Sequence, residues 1–494
     1  MSLASSSPLP DPVLETLLQW FADNNIWIDP RIRIASDRAR PEAGYGVYAL
    51  ADIPYGVPVS KTPKTAVLSI RSCTLSDQLY PLIKDIDQNI ALAVALLSEQ
   101  LLGRESRFWG YLQSFPQGGA DIGMFWRWKA EDGMEAMRWL RGTEAEALMR
   151  GSLLGDLERV YAQIVRPALE EWQPTMEQFR QAYSLVSSRA FQVDFWHGVG
   201  LVPVADAFNH AEENNVFMET DFAVCPMCGS LGPCAHPSHQ PRHSSPWDEP
   251  MTCDMVTYSP ITSGQEVFNS YDEKGFSNAQ LLVHYGFLLE GNGEDWIKWD
   301  GAEVEEVLGD TDATWDEERW ERVRDAAKDV EEEMEDLEAL VTPAESEEIE
   351  DEDDDDDTCW IDAEGRMSQS LFLHLFARNA SDSPDVTLLL HLVLSVMRLI
   401  GTVQLGEKGV LAGIPLDVLR TLKSIARDVK RLSETRVAGM YKPQLETSDL
   451  AALLDTSLGP RTKLALSYAL TERLMLETCS IWWEDLASFI DSDT

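Results

Sequence analysis

Apolar residues recur at helical spacing through much of the chain. The stretch from Pro12 to Ala22 carries apolar side chains at positions 14, 17, 18 and 21, and residues three and four apart share one face of a helix. A run rich in Ala and Leu from Asn89 to Gly103 predicts a second helix, and charged amphipathic stretches from Met134 to Arg180 predict more. The amino-terminal half therefore contains long helices.

Helical spacing returns near the carboxyl terminus, where it predicts helices within residues 368–405, 415–432 and 461–490. Within the last of these, leucines at 466, 470 and 474 lie four apart and predict one apolar stripe. The most apolar window, 386–400, contains a histidine, a serine and an arginine. It is too short and too polar to cross a bilayer, so we expect a buried helix and no membrane segment.

Short strand-like segments lie between the helical regions. β-Branched residues with Gly and Pro punctuation predict strands and turns from Gly44 to Ala49 and from Val57 to Ile70. A further apolar run, Leu201 to Phe208, ends at an Asn-His pair, and Gly264 to Tyr271 again looks like a strand. Helices together with short, scattered strands predict an α+β fold.

Length and composition allow two or three domains, since 494 residues can bury several cores. The character of the chain changes after Gly301, where Trp315 to Leu340 predicts a charged helix. Glu345 to Asp357 is almost wholly acidic, and such a block repels itself and buries too little apolar surface to fold. We therefore expect domains at 14–290 and 366–494, joined through a charged helix and a disordered acidic loop at 301–365.

The formal net charge of -44 restricts the partners of the protein. Nucleic-acid binding needs clustered Lys and Arg to replace counterions, so this charge argues against it. A negative field attracts cationic segments, which favours a basic protein partner. The alternative, that the acidic residues only keep the protein soluble, carries equal weight.

The amino terminus and the cysteines bear on the compartment. Met1 to Pro12 lacks the cationic start of a secretory signal, so we expect none. Seven cysteines, several of them clustered with histidines, do not look like a disulfide framework. We expect a reducing compartment, the cytoplasm or the nucleus.

A cluster of cysteines and histidines interrupts the strand-like region within about residues 220–255. Its candidate metal ligands are Cys225, Cys228, Cys234 and His236, followed by His239 and His243, with Cys253 beyond them. Cys-x-x-Cys closes a tight chelate loop, and four such side chains suit a structural zinc ion. The alternative is a flexible insertion that binds metal only incidentally. A catalytic role is not expected.

Several motifs in a fixed order resemble the split SET domain of lysine methyltransferases. They are Gly44-Tyr45-Gly46, Ser188-Arg189-Ala190-Phe191, Asp206-Ala207-Phe208-Asn209-His210, Gly264-Gln265-Glu266-Val267 with Ser270-Tyr271, and Tyr285-Gly286-Phe287. The set is similar to the methyltransferases of the Rubisco large subunit and of ribosomal proteins. That resemblance implies a SET domain of short strands split by a helical insertion at about 80–185, followed by an all-helical domain that holds protein substrates.

The resemblance also implies a role for each matched residue. Tyr271 matches the catalytic tyrosine, and Tyr285 lines the lysine channel with it. The residues implied around S-adenosylmethionine are Tyr45, Gly46, Arg189, Asp206, Asn209, His210 and Phe287.

The implied activity is methylation of a lysine on a non-histone protein, such as a ribosomal protein or a translation factor. Free lysine has a pKa of about 10.4, so such a site must receive the amine without its proton. An aromatic channel then orients the amine and favours onium groups through cation–π contact. The rival interpretation is an inactive SET-fold scaffold, against which the presence of both Tyr271 and Tyr285 argues. We expect a monomer.

Overall fold

The computed structural model describes residues 11–36, 44–129, 131–211, 213–236, 251–271, 275–309, 317–329, 358–380, 385–402 and 409–493. The chain divides into two compact units. The first comprises 1–125, 151–275 and 284–286, and the second comprises 126–150, 276–283 and 287–494. Each unit is therefore built from separate stretches of sequence.

The helices of the described residues range in length from 3 to 34 residues. In chain order they are α1 (Pro12–Asp23), α2 (Ser76–Ile83), α3 (Gln88–Leu102), α4 (Trp109–Leu112), α5 (Glu131–Trp139), α6 (Glu144–Met149), α7 (Leu153–Val160), α8 (Arg166–Ala168), α9 (Met176–Arg189), α10 (Asn278–His284), α11 (Gly301–Leu308), α12 (Glu317–Asp329), α13 (Gln369–Asn379), α14 (Val386–Thr402), α15 (Leu416–Gly439), α16 (Thr447–Leu453) and α17 (Pro460–Asp493).

The strands are short and form small antiparallel sheets. They are β1 (Trp27–Ile28), β2 (Ile32–Ser36), β3 (Tyr45–Ala49), β4 (Pro58–Pro63), β5 (Leu68–Ser69), β6 (Ala190–Asp194), β7 (Gly198–Leu201), β8 (Val216–Thr220), β9 (Thr252–Thr257), β10 (Trp296–Trp299) and β11 (Cys359–Asp362). The first unit holds the sheets β1-β4-β9-β8, β2-β3 and β5-β7-β6, and the second holds β10-β11. Helices and strands in these small sheets confirm the predicted α+β class.

Local sequence explains where the first helices begin and what they bury. The Asp11 carboxylate accepts from the N–H groups of Val13 and Leu14, at 3.0 and 3.2 Å, and so caps α1. This helix buries Leu17, Trp20 and Phe21. Helix α3 is buried on almost every side. The predicted helices at 12–22 and 89–103 are confirmed, with ends shifted by one residue.

Helix α3 also carries a buried carboxylate, Glu99, which is fully enclosed. It accepts hydrogen bonds from the hydroxyls of Thr74 (3.0 Å) and Ser106 and from the Thr74 N–H. A buried charge is tolerated only with such partners. These bonds tie α3 to the segments on either side of it within the first unit.

The second unit is a helical assembly whose apolar core includes α13, α14, α15 and α17. The helices predicted in 368–405, 415–432 and 461–490 are confirmed. The predicted leucine stripe on α17 is wrong at its end: Leu466 is buried, whereas Leu474 is 48% exposed. Each step of four residues rotates about 40° past a full turn, so two steps carry the side chain off the core face.

The predicted acidic loop at 345–357 lies outside the described residues, as does much of the predicted charged helix at 315–340, apart from α12. The predicted domain boundaries remain a prediction. Within the parts of the chain that the structure describes, no helix is both long enough and apolar enough to cross a bilayer.

Residues 126–150 belong to the second unit, in which Asp132 of α5 caps α17. Its carboxylate accepts from the N–H groups of Arg461 and Thr462, both at 3.1 Å, and from the Thr462 hydroxyl at 2.6 Å. The first N–H groups of a helix have no partner within the helix, and they carry partial positive charge. A carboxylate from a distant part of the chain therefore holds this helix in place.

We predict that Asp132→Ala lowers the free energy of unfolding by about 1–2 kcal/mol, the cost of losing a helix cap. Glu135→Ala, on the same helix, removes only a more exposed ion pair with Arg138 and should change it by less than about 0.5 kcal/mol. Denaturant unfolding of both variants measures the difference. Equal effects would show that Asp132 does not act as the cap.

Candidate active site

The segment from Gly264 to Tyr271 organises the site by pairing with two different parts of the chain. The Val267 N–H donates to the Val47 carbonyl in β3 at 2.8 Å. Two residues later the Asn269 N–H donates to the Asn209 carbonyl at 2.9 Å, and the Ala211 N–H donates to the Asn269 carbonyl at 3.2 Å. Because the partner changes midway, the predicted continuous strand is instead a series of isolated bridges.

This pairing places Gly46, Asn209 and Glu266 in direct contact. The Asn209 side-chain amide donates to a Glu266 carboxylate oxygen at 2.7 Å. A Cβ on Gly46 would lie 2.8 Å from that oxygen and 3.1 Å from the Asn209 amide nitrogen. Any other residue at position 46 would have to displace these side-chain ends. A carboxylate only accepts hydrogen bonds, so the bond to Glu266 fixes the orientation of the Asn209 amide with its nitrogen toward Glu266. The amide oxygen therefore faces away and can accept a hydrogen bond from another donor.

A second group surrounds Asp206, whose side chain is almost fully buried. The Tyr111 hydroxyl donates to the Asp206 carboxylate at 2.6 Å, and the Arg189 guanidinium donates to the Asp206 backbone carbonyl at 3.1 Å. Burial raises the pKa of Asp206, while the charge of Arg189 and the Tyr111 hydrogen bond oppose that rise. Tyr111 is held by α1, because its ring stacks on Trp20 at 5.6 Å.

The turn that presents Asp206 is strained. Val204 has a φ of 73°, which a β-branched residue adopts rarely and at a cost.

Tyr45 lies at the start of β3, where its hydroxyl donates to Asp11 at 3.1 Å. Burial and that carboxylate raise the pKa of Tyr45 to about 12. A narrow cavity in this region is lined by Tyr45, Tyr111, Arg189 and Asp206.

Tyr271 lies among aromatic rings and backbone acceptors. Its ring stacks on Tyr285 at 5.0 Å and contacts the His210 ring at the same centroid distance. Its hydroxyl donates to the Phe208 carbonyl at 3.3 Å, and its N–H donates to His210 Nδ1 at 3.1 Å. Because Nδ1 accepts, His210 is neutral and carries its proton on Nε2.

Tyr271 is also a protonated phenol over the whole physiological range. Burial raises its pKa to about 12, and the negative charges of Asp206 and Glu266 add to the rise against the opposing charge of Arg189. The hydroxyl can therefore donate and accept hydrogen bonds but does not act as a phenolate base.

The chain reaches Tyr285 through a close backbone contact. Gly286 has a φ of +83°, and a Cβ there would lie 2.2 Å from the Asp121 carbonyl oxygen. The Tyr-Gly-Phe motif thus needs its glycine both for the positive φ and for the close approach to the Asp121 carbonyl. Phe287 belongs to the second unit, and its implied place beside the cofactor stays a prediction.

The structure brings together most of the residues singled out from the sequence. It groups Tyr45, Gly46, Arg189, Asp206, Asn209, His210, Tyr271 and Tyr285 in the first unit. The sequence interpretation did not single out Glu266 and Tyr111 for the site. Glu266 stands within the quoted Gly-Gln-Glu-Val motif and was open to prediction. The sequence around Tyr111 did not indicate a role in the site, because only the fold brings Tyr111 into contact with Asp206.

The four predicted metal ligands also come together. Their ligand atoms, from Cys225, Cys228, Cys234 and His236, all lie within 4.8 Å of one another. Cys253 is separate, since it is buried in β9 with its sulphur 3.9 Å from the Thr220 hydroxyl. His239 and His243 lie outside the described residues.

Comparison with solved structures identifies the fold. The SET domain of LSMT bound to lysine and AdoHcy superposes with a TM-score of 0.60 at 16% identity, covering 98% of this chain and 94% of that one. Rubisco LSMT bound to AdoMet gives a TM-score of 0.61 at 15% identity, with the same coverage. The chain has the SET fold of that enzyme, which confirms the predicted fold and the resemblance.

Individual relatives are similar to the chain over part of its length. Ribosomal lysine N-methyltransferase 3 of Saccharomyces cerevisiae is 24% identical over 345 residues, 53% of this chain and 59% of that protein. The N-lysine methyltransferase SETD6 of Rattus norvegicus is 26% identical over 289 residues, 55% of this chain and 53% of that protein. The matches thus span between half and three fifths of these curated relatives. No protein-family profile matches the chain.

We predict that Tyr111→Phe destabilises the protein more at neutral than at acid pH. Burial raises the folded-state pKa of Asp206 above its unfolded value, so stability falls as pH rises between the two values. Removing the Tyr111 bond raises that pKa further. The loss should reach about 1–3 kcal/mol at pH 7 and shrink as the pH falls through the folded-state pKa of Asp206, so that it is small below pH about 3.9, the unfolded-state value.

The matched control is Tyr161→Phe, which removes a hydroxyl that donates to the uncharged Pro174 carbonyl at 2.9 Å. Its effect should not depend on pH. Urea unfolding at pH 7 and at acid pH measures the free energy of unfolding of both variants. A Tyr111→Phe effect that is constant with pH would contradict the pairing with an ionised Asp206.

Proposed function

We propose that this protein transfers a methyl group from S-adenosylmethionine to a lysine side chain of another protein. The observation that carries the proposal is the placement of Tyr271, stacked on Tyr285 and directed at the Phe208 carbonyl. Tyr271 is connected through the 264–271 segment to the contact between Gly46, Asn209 and Glu266. The SET fold and the lysine methyltransferase names of its relatives support the same activity.

The residues present fit a cofactor with an amino acid end and a sulfonium centre. Gly46 has no side chain at a position where any Cβ would contact Glu266 and Asn209. The amide oxygen of Asn209, turned away from Glu266, suits a donor such as an ammonium group, and Arg189 suits a carboxylate. When bound, the cofactor supplies the electrophilic methyl group.

Tyr271 and Tyr285 are proposed to position the lysine amine. A neutral phenol with a pKa of about 12 neither takes the lysine proton nor adds a negative charge that would hold that proton in place. The lysine therefore loses its proton to solvent before transfer. Stacked aromatic rings exclude water and favour a cationic amine product through cation–π contact. The Tyr271 hydroxyl orients the lone pair toward the methyl group.

The substrate is proposed to be a basic, non-histone protein, such as a ribosomal protein or translation factor. The net charge of -44 favours cationic partners, and one relative is named a ribosomal lysine methyltransferase. None of the seven cysteines, all of which lie in the described residues, forms a disulfide bond, which supports a reducing compartment, the cytoplasm or the nucleus. We propose that the protein acts as a monomer and does not bind nucleic acid.

We predict that Gly46→Ala weakens binding of S-adenosylhomocysteine by at least about tenfold. The new methyl group would push Glu266 and Asn209 from their places, and overpacking of this kind costs about 1–3 kcal/mol. Gly155→Ala is the matched control, because its Cβ would meet nothing within 4 Å. Calorimetric titration measures both. Unchanged affinity in Gly46→Ala would show that Gly46 and its contacts with Glu266 and Asn209 are not part of the cofactor site.

We predict that Tyr271→Phe lowers the rate of methyl transfer by at least about tenfold while cofactor affinity is kept, because the lost hydrogen bond acts mainly in the transition state. The shape of the pH–rate profile should not change, since Tyr271 stays protonated up to about pH 12. The assay follows radiolabelled methyl transfer from S-adenosylmethionine into fractionated ribosomal and cytosolic proteins.

Tyr258→Phe is the control for this assay, since Tyr258 is exposed and its hydroxyl donates to the Asn214 side chain at 2.8 Å. Wild-type rates in Tyr271→Phe would contradict the assignment. If the wild-type protein binds S-adenosylhomocysteine but transfers no methyl group to any fraction, the inactive-scaffold interpretation would replace the proposed activity.

A further inference from the structure

We propose that Cys225, Cys228, Cys234 and His236 form a closed, four-coordinate structural zinc site. The four ligand atoms lie within 4.8 Å of one another. Thiolate and imidazole are ligands that zinc takes in tetrahedral sites, whereas magnesium and calcium take oxygen. With three cysteines and one histidine the coordination shell is full, so the ion has no open position for a substrate or water.

Two distances within the cluster match tetrahedral coordination of zinc. His236 Nδ1 lies 3.6 Å from the sulphur of Cys225 and also 3.6 Å from the sulphur of Cys234. Zinc–sulphur bonds of about 2.3 Å and zinc–nitrogen bonds of about 2.0 Å at the tetrahedral angle require about 3.5 Å between the nitrogen and each sulphur. His236 therefore already stands at the separation from these two cysteines that a shared metal ion imposes.

The backbone around Cys225 forms a tight turn that fixes this side chain independently of those distances. The turn closes when the Gly229 N–H donates to the Cys225 carbonyl at 2.8 Å and the Cys225 N–H donates to the Ser230 carbonyl at 2.9 Å. Gly229 has a φ of +71°, which makes this tight reversal easy.

The turn is seated on the loop between β6 and β7. A Cβ on Gly229 would lie 3.1 Å from the Trp196 indole, so the glycine also allows the turn to approach that ring. Arg71 donates to the Pro226 carbonyl at 3.3 Å, and the Phe195 N–H donates to the Phe222 carbonyl at 3.2 Å. The Arg71 guanidinium offsets the negative charge that three thiolates leave on a zinc centre.

The loop that receives the turn is itself anchored by a buried ion pair. Lys64 donates to the Asp194 carboxylate at 2.7 Å and to the Asp221 carbonyl at 2.6 Å. Asp194 also accepts from the Trp196 and His197 N–H groups. The metal would thus hold residues 225–236, which follow β8, against this anchored loop, which assigns it a structural role in the first unit.

The test is metal analysis of the purified full-length chain and of single variants. About one zinc per chain should be found in the wild type. Cys228→Ser and Cys234→Ser should lose it, whereas Cys253→Ala, which removes a nearby cysteine that is not a ligand, should keep it. A folded wild-type protein without zinc, or one that holds iron instead, would overturn the proposal.

The histidine is tested by exchange of one ligand for another. His236→Gln should lose most of the zinc, and His236→Cys should retain it, because four cysteines also make a tetrahedral site. Full zinc in His236→Gln would overturn this fourth ligand. If a variant fails to fold, the test is to replace zinc by cobalt in the wild-type protein and record its visible spectrum. The bands of tetrahedral cobalt, together with thiolate charge transfer, would support the site. The spectrum of octahedral cobalt would contradict it.

Discussion

One change of pairing partner makes the site: residues 264–271 leave β3 and join the Asn209 to Ala211 segment within three residues. The bond from Val267 to Val47 fixes Glu266 over Gly46, and the bonds made by Asn269 fix Tyr271 beside His210. A slip of one residue in either pairing would turn each of these side chains to the opposite face. The two halves of the site are therefore set by backbone geometry, and side-chain contacts such as that between Asn209 and Glu266 only refine it.

Burial determines the charge state of the groups in this site. Both Asp206 and Tyr271 have raised pKa values, and in each case removal from water is the largest cause. The consequences differ, because Asp206 is compensated by Tyr111 and Arg189, whereas a tyrosine needs no compensation to stay neutral. The Asp206 carboxylate accepts the Tyr111 hydroxyl and lies 4.0 Å from the Arg189 guanidinium, and the Tyr271 phenol stays protonated over the physiological pH range. A phenol that keeps its proton suits positioning better than proton transfer.

The sequence allowed the class of fold and most of the site to be predicted, for physical reasons that differ between elements. Helices α1 and α3 follow from apolar spacing and caps that lie within the same segment. The ordered motifs located Asn209, Tyr271 and Tyr285 because the chemistry constrains those positions directly. Tyr111 escaped prediction because its partner, Asp206, is 95 residues away. Leu474 was misplaced because spacing by four approximates a helix face over one step but drifts over two. The interruption of the strand at Asn269 depends on a partner that only the fold supplies.

The cap on α17 has a consequence for how the chain is synthesised. Asp132 and Thr462 are separated by 330 residues, so at ordinary ribosomal rates the carboxylate leaves the exit tunnel on the order of half a minute before its partner exists. During that interval Ala136 and Trp139, buried in the finished protein, lack partners that come later in the chain, such as the Tyr441 ring beside Trp139. The nascent chain thus carries a helix with an exposed apolar face, with the first unit able to complete itself in the meantime. A chaperone that shelters residues 126–150 would act on a segment whose wait is set by translation and not by folding.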